Sequence, residues 1–385
     1  MTRVLLAGLS TRDVAESAAR AGYEVVALDG FGDLDLRACA AEVRVVRVEG
    51  RFSAPAAAAA GRDIRCDATM YEASFENHPD AVRALAAGRV LWGNTPAVLA
   101  RARDPRRLAR VVRDAGLPGP RVRQTRPPAA ARRGWMVKPR RSGGGERVSV
   151  WRRGAAVPRG SYFQERVDGV AGSIVFAADG RDAVPLGLSR ILAGETRFGA
   201  AGFRYCGNIL APAGDAQFPA DDRLLDGITR LARAVTAAFG LVGVNGVDFI
   251  ARRGLPYAIE VNPRYTAAME LVERAYGFST FDVHARACRG DLPAFDLAAA
   301  RRHAREAVGK AIVYARRPVV QGATRSWLAD QDIRDISPPG TQFTPPDPIC
   351  TIFARGRTAR ACFAGLSRRA ARLYHELAPR EARIA

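Results

Sequence analysis

The first hundred residues alternate short apolar runs with stretches of helical period. VLLAGL leads into residues 11–21, EVVALD and VRVVRV follow, ATMYEA leads into residues 79–87, and VLWG closes the series. Unbroken apolar runs suit strands covered on both faces, and strands alternating with helices predict a parallel, doubly wound sheet. The run APAAAAAG at 54–61 reads as a helix or a tolerated surface insertion. Residues 95–102 and 105–115 read as two helices, the second stopped by Gly116 with Pro118 and Pro120 beyond it. Over residues 135–262 the pattern changes to strands with glycine-rich turns, broken by one helix at 222–239. A last region holds KAIVYA, Trp327, the proline-rich ISPPG and TPPDP, ICTIFA and a helix at 366–377. The expectation is an α/β unit followed by α+β. Residues 1–102 form a first domain, 103–292 a second, and 293–385 a small β-rich subdomain with a terminal helix.

Composition narrows the class. A chain of 385 residues with 48% apolar content can bury several packed cores. No apolar run approaches the roughly 20 residues that cross a bilayer, so a soluble protein without a targeting segment is expected. Six cysteines lie far apart with no C-x-x-C pair, which argues for reduced thiols in the cytoplasm rather than a zinc site or a disulfide framework. The net charge of +20 ordinarily points to nucleic acid. All but two of the 59 basic residues are arginine, however, and alanine is abundant throughout, so the charge reads as compositional drift. The densest basic stretch, residues 101–141, keeps a polyanionic partner open as a minor alternative.

The opening turn, Gly8-Leu9-Ser10-Thr11, leads from strand to helix, so its amides could face an anion. It lacks G-x-G-x-x-G, and Asp29, which closes the second strand, is therefore read as a turn residue rather than a ribose ligand.

The most informative segment is VDFIARRGLPYAIEVNPR, residues 247–264. A turn centred on Gly254 places residues whose numbers sum to 508 opposite one another, so Asp248 faces Glu260. Strand side chains alternate faces, which puts Asn262 on the side of Glu260. Two facing carboxylates repel by about 0.2–1 kcal/mol unless a cation lies between them. Magnesium, which takes carboxylate and amide oxygens together with substrate phosphates, relieves that repulsion. An ordinary hairpin with an acidic face would have the same apolar flanks; the Asn-Pro-Arg ending favours the metal site. Arg264 leaves the strand beside the site, placed to stabilise a phosphorylated intermediate or to hold a substrate carboxylate.

Two further features lie upstream. WMVKPRRSGGGE delivers Lys138 at a strand end, followed by Gly143, Gly144 and Gly145, whose bare amides can close on phosphates. The lysine precedes the glycines, so this is not a Walker loop. A lysine kept where arginine is used almost everywhere suits a compact ammonium on the α-phosphate. Between the two features, SYFQERVDG offers apolar residues to flank an adenine, backbone of Arg166 and Val167 to read its edge, and Glu165 or Asp168 for ribose hydroxyls. A surface strand with a turn would look the same.

In this order, VKP-x₃-GGG, QERVDG and VDF-x₁₀-E-V-N-P-R resemble the ATP-grasp superfamily over roughly residues 1–290. Gly93-Asn94-Thr95-Pro96, Arg103-Asp104-Pro105 and Ala115-Gly116-Leu117-Pro118 look like the helices that lead into that domain. The resemblance implies an ATP-grasp fold, with a Rossmann-like pre-ATP-grasp domain before it and a small β-rich domain after it. Ser74-Phe75-Glu76, FRYCGN at 203–208 and ISPPG…DPICTIFA look most like the carboligase group related to biotin carboxylase, which is also similar to amino-acid ligases such as tyramine–glutamate ligase. It implies that Lys138 contacts ATP phosphates, that Ser142 and the three glycines form a lid, and that Gln164, Glu165, Arg166, Val167 and Asp168 form the adenine and ribose side. It also implies that Asp248, Glu260 and Asn262 hold Mg²⁺, with Mn²⁺ as an admissible substitute, and that Arg264 works on the transferred phosphate. The family often has lysine where Arg107 stands, so Arg107 is placed on ATP with a different reach.

The reaction so implied is attack of a substrate carboxylate on the γ-phosphate, followed by capture of the acyl phosphate by an amine to give a C–N bond. Glu76, Arg204, Tyr205 and Arg264 are the candidates to line an amino-acid-sized pocket. The alternatives are a carboxylase that uses bicarbonate through carboxyphosphate, and a nucleic-acid-binding protein on an inactive scaffold. The expected partners are a small carboxylate and an amine, with no nucleic acid and no membrane, and a homodimer through the first domain is the assembly to test. His284, at helical spacing in FDVHARAC, is read as structural.

Overall fold

The computed structural model describes residues 1–128 and 134–377; five positions of the arginine-dense stretch, 129–133, lie outside the described residues. In the first domain, Arg3–Ala7, Glu24–Asp29, Glu42–Val45, Ala68–Tyr71 and Val90–Leu91 build one parallel sheet. The first strand lies inside, with the second and third on one side and the last two on the other. Its alternate side chains go to different clusters. Val4 and Leu6 pack with Val14, Ala15 and Ala18 of the helix Arg12–Arg20, while Leu5 and Ala7 pack with Ala54, Ala57 and Ala58. Both faces are therefore covered, which is why these strands have no polar alternation. The alanine run forms a helix, Ala54–Ala60, with Ser53 accepting from the Ala56 amide at its start. Ala57 is wholly buried, so the run belongs to the core rather than to a surface insertion.

An antiparallel four-stranded sheet follows, with Trp135–Pro139 and Ser161–Glu165 as its inner strands. The largest sheet has eight antiparallel strands, ordered Leu255–Asn262, Val242–Arg252, Val170–Asp179, Ala183–Ala193, Tyr205–Leu210, Ala307–Tyr314, Pro348–Gly356 and Ile333–Arg334. Strands from both sides of residue 292 share this sheet, so the third segment extends the second rather than standing apart. The helix Asp221–Phe239 buries Ile228, Leu231 and Val235 against one face of the sheet. The last helix, Ala359–Glu376, starts seven residues before the expected 366, because Thr358 caps it by accepting from the Ala361 amide. Among the described residues no helix is long and apolar enough to cross a membrane.

Arg12 locks the first domain to the rest. It is 1% exposed, its Nε donates to Asp335 Oδ1 at 2.9 Å, and its Nη1 donates to Glu270. Asp35 accepts from the amides of Asp335 and Ile336 at 2.8 and 3.1 Å. Arg12 and Asp335 are among the residues that line a large cavity.

Candidate active site

The hairpin of Val242–Arg252 and Leu255–Asn262 turns at Arg253 and Gly254, both with positive φ (52° and 69°). A two-residue turn of this hand matches the twist of the flanking strands. It is not centred on Gly254, and its register pairs Arg252 with Leu255 and Phe249 with Ala258. Continued without interruption, that register would put Ile259 opposite Asp248. A bulge at Ile259 supplies the missing step, so Asp248 pairs with Glu260 and Gly246 with Asn262. Asn262 Nδ2 donates to Asp248 Oδ2 at 3.1 Å, which brings the three oxygen-bearing side chains to one face.

The surroundings divide the two carboxyls. Burial and the facing Glu260 push Asp248 up to about 6, against hydrogen bonds from Ser173 and Asn262. Burial also opposes the charge of Glu260, but Lys138, Arg103 and Arg264 outweigh it and hold Glu260 below the usual carboxylate range. Asp248 thus faces an anion with no cation paired to it closely among the described residues.

Lys138 reaches the hairpin through one relay. Its Nζ donates to Gln164 Oε1 at 3.3 Å, and Gln164 Nε2 donates to the carbonyl of the bulged Ile259 at 3.1 Å. The Gln164 side chain therefore ties the lysine to the hairpin. Glu165 is likewise engaged, accepting from Arg121 N at 3.2 Å and Nε at 3.1 Å. The Arg166 amide donates to Gly134 O at 2.8 Å, which removes it as a reader of adenine. Asp168 is exposed and lies 3.6 Å from Arg166 Nε.

The glycine loop is docked rather than loose. Tyr205 N donates to Gly144 O at 2.9 Å, and Gly144 and Gly145 have φ of 59° and 74°. A Cβ on Gly145 would lie 1.9 Å from Phe203 O. Only glycine allows that approach.

Arg264 is half-buried and oriented by two acceptors, Glu76 Oε1 at 2.7 Å from Nε and Tyr265 O at 2.9 Å from Nη1. Glu76 thus holds Arg264 rather than presenting both oxygens to a ligand. Tyr205 OH donates to Asn208 Oδ1, and the Arg204 guanidinium lies 5.3 Å from the Tyr314 ring centre. All the candidate ATP, metal and substrate residues, Ser142 included, line one cavity of about 1450 Å³, with the exception of Arg107.

Arg107 points out of the helix Pro105–Asp114, its side chain 56% exposed and 3.9 Å from Asp104. The residue turned inward is Arg103, which donates to Ser142 O at 3.0 Å and Asn77 Oδ1 at 3.1 Å and lies 3.8 Å from Glu260. Lys310 was also missed. It is buried, lines the cavity and donates to Glu270 Oε2 at 2.7 Å. The rarity of lysine singled out Lys138 and applied equally here.

Three of the four amides of the opening turn are already used within the fold. Gly8 N donates to Leu28 O, Leu9 N to Ala73 O, and Thr11 N to Asp29 Oδ2 at 2.7 Å. Asp29 also accepts from Phe31 and Gly32, so it is the organiser of this turn. His284 is structural. Its Nδ1 accepts from Val244 N at 3.0 Å, which fixes the tautomer and makes Nε2 the donor to Trp92 O.

Three sheets in this order, with an acidic hairpin and a docked glycine loop lining one cavity, make up an ATP-grasp fold. The sequence agrees: residues 102–268 match the ATP-grasp domain family model, so the chain carries an ATP-grasp domain. The fold is similar over 97% of both chains to an L-amino acid ligase from Bacillus licheniformis, at 15% identity and a TM-score of 0.69. It is similar over 93% of this chain and 86% of the other to the biotin carboxylase domain of 2-oxoglutarate carboxylase from Hydrogenobacter thermophilus, solved with MgADP, ADP and bicarbonate (14%, TM-score 0.68). N5-carboxyaminoimidazole ribonucleotide synthetase from Thermotoga maritima is similar over 96% of this chain and 98% of its own (14%, TM-score 0.67). At these identities the likeness is one of fold. A comparison with curated proteins gives no match.

Proposed function

We propose that the protein is an ATP-dependent carboxylate–amine ligase acting on an amino-acid-like substrate. The observation that carries this reading is the Asp248–Glu260 pair with Asn262 on its face, bounded by Lys138 and Arg264 and opening into the shared cavity. The donor set fits Mg²⁺. Two carboxylates and an amide oxygen leave the rest of an octahedron to phosphate oxygens and water, and Asp248, pushed up by its acidic neighbour, is where a cation relieves repulsion. The metal, held by Asp248, Glu260 and Asn262, would neutralise charge on the phosphates of ATP.

In this reading Lys138, fixed by Gln164, places its ammonium on the phosphates. The docked glycine loop covers them and excludes water. Arg264, fixed by Glu76, faces the transferred phosphoryl group and balances the charge that spreads over its oxygens. The substrate carboxylate attacks the γ-phosphate, and an amine displaces phosphate from the acyl phosphate. No side-chain nucleophile is needed, and none of the six free cysteines lines the cavity. We place the protein in the cytoplasm, and a homodimer through the first domain is the assembly to test.

The test is ADP release with Mg-ATP over amino acids, amines and bicarbonate. Release that needs both an acid and an amine supports the ligase, with loss of at least about 100-fold in Glu260→Gln. Release driven by bicarbonate alone makes the protein a carboxylase. Salt-sensitive RNA binding without turnover makes it a nucleic-acid-binding protein. Unchanged turnover in Glu260→Gln removes the metal assignment.

A further inference from the structure

The cavity extends well past the hairpin, and its far half carries two carboxylates that the reaction above leaves without a role. Glu72 follows the strand Ala68–Tyr71, is 5% exposed, and lines the cavity. Its Oε1 is buried and has no hydrogen-bond partner among the described residues. Asp13, in the first turn of the helix Arg12–Arg20, lines the same half and accepts only from its neighbour Val14 N, at 2.9 Å, among the described residues. Burial first, and then the nearby Asp13, oppose the charge of Glu72 and hold its carboxyl well above the usual carboxylate range.

Arg47 and Arg51 also line the cavity, Arg47 donating through Nε to Gly30 O and neither pairing with Glu72 or Asp13 among the described residues; the other nearby cations are held by carboxylates. Arg12 is bound by Glu270 and Asp335, Lys310 by Glu270, and Arg264 by Glu76. Among the described residues neither Glu72 nor Asp13 has an ion pair within 4.0 Å. A buried carboxylate without a partner is costly, and a mobile cation arriving from the cavity would offset that cost. No group of three or more His, Cys, Asp or Glu occurs among the described residues, so Glu72 and Asp13 have no third such ligand beside them. An alkylammonium, with three N–H donors around one compact charge, matches two carboxylates.

Apolar side chains line this part of the cavity beside Arg47 and Arg51. Leu9 N donates to the carbonyl of Ala73, the residue after Glu72, at 3.1 Å, and a Cβ on Gly30 would lie 3.2 Å from Phe52 Cβ and 3.3 Å from Leu9 Cδ1. Leu9 and Val45 are 40% and 42% exposed into this region although both are large and apolar. Arg264 lies within electrostatic reach of Glu72 and Glu260 alike, so a ligand seated at Glu72 is one side chain away from the reacting phosphate.

We propose that Glu72 and Asp13 form the subsite for a primary ammonium group of the substrate, and that Leu9, Val45 and Phe52 receive the carbon chain that bears it. This rests on the ligase reading and names the half of the substrate that the hairpin does not define. An amine is recognised because a neutral replacement leaves Glu72 buried without a counter-charge.

The test uses matched probes that differ only in the ammonium: L-leucine against L-leucic acid, and n-pentylamine against 1-pentanol. Dissociation constants are read by ligand-observed NMR on the full chain loaded with Mg²⁺ and a non-hydrolysable ATP analogue. In each pair the amine is expected to bind at least about tenfold more tightly, and Glu72→Gln to erase that preference. Asp13→Asn, at a less buried position, should reduce the preference and carries the test if Glu72→Gln does not fold. Equal binding within both pairs, or a preference that survives both substitutions, overturns the proposal. Mg-ATP binding to the wild-type chain is measured alongside; its absence refutes the ligase reading, whereas ATP binding without amine preference refutes the subsite alone.

Discussion

Alanine substitution along the glycine loop separates three costs that the structure assigns to three adjacent residues. Gly143 has no positive φ and no atom within 4 Å of an added Cβ, so Gly143→Ala should be neutral or slightly stabilising, by up to about 1 kcal/mol through the unfolded chain. Gly144 has the same open space but φ of 59°, so Gly144→Ala should cost about 1–2 kcal/mol of backbone strain, roughly a 5- to 30-fold loss. Gly145 combines φ of 74° with a Cβ position 1.9 Å from Phe203 O and 2.7 Å from its carbonyl carbon. Both contacts are backbone, which cannot rotate away, so Gly145→Ala can relieve its strain only by undocking the loop. The expected order of kcat/KM for ATP in an ADP-release assay is therefore Gly143→Ala, then Gly144→Ala, then Gly145→Ala. Hydrogen exchange supplies the structural readout: the Tyr205 amide, which donates to Gly144 O, should lose protection in Gly145→Ala. A Gly143→Ala variant as damaged as Gly145→Ala, or a Gly145→Ala variant no worse than Gly144→Ala, would refute the docked-loop argument.

Other expectations are narrower. Arg103→Ala should raise KM for ATP by about tenfold while Arg107→Ala stays within about twofold, since only the first touches the lid and Glu260; equal effects in steady-state kinetics would restore Arg107 to the site. Burial pushes His284 down to about 4, below the usual imidazole value, so the folded protein takes up this proton later than the unfolded chain does. Its contribution is therefore present above pH 6.5 and lost as pH falls toward 4. Urea midpoints should show about 2 kcal/mol of loss between pH 7 and 5 that is absent in a foldable His284→Gln variant. Arg12→Met leaves Glu270 and Asp335 without their buried counter-charge and should lower unfolding free energy by about 3–5 kcal/mol; a change below about 1 kcal/mol in denaturant titration would show that the network does not hold the domains together.

What could be read from the sequence follows from what each feature depends on. The first sheet was legible because Val4, Leu5, Leu6 and Ala7 are all buried, and a strand covered on both faces has to be written as an unbroken apolar run. The third segment was less legible. Whether Ala307–Tyr314 starts a new sheet or joins an old one depends on its pairing with Tyr205–Leu210, which no local pattern records. At the site, residue types were legible and partners were not. Gln164 and Glu76 are polar residues near the motifs, but that one anchors Lys138 and the other Arg264 is a matter of tertiary approach. The choice of Arg107 over Arg103 followed family spacing, whereas the helix Pro105–Asp114 begins after Arg103 and turns Arg107 outward. The pairing of Asp248 with Glu260 was reached by counting from a turn that is in fact one residue shorter, and the count succeeded only because the bulge made up the difference.

That bulge gives the hairpin two independent frames. The outer frame, from Phe249 to Ala258, is set by the Arg253-Gly254 turn; the inner one, from Asp248 to Glu260, is set within the sheet and fastened by Gln164 to the Ile259 carbonyl. The ligand face is thus indexed from Gln164 and Lys138, and the tip of the hairpin is geometrically uncoupled from it. Removing Ile259 alone would let the outer frame run through, keep Asp248 opposite Glu260, and abolish the fastening, so the acidic pair would survive while its tie to Lys138 would not.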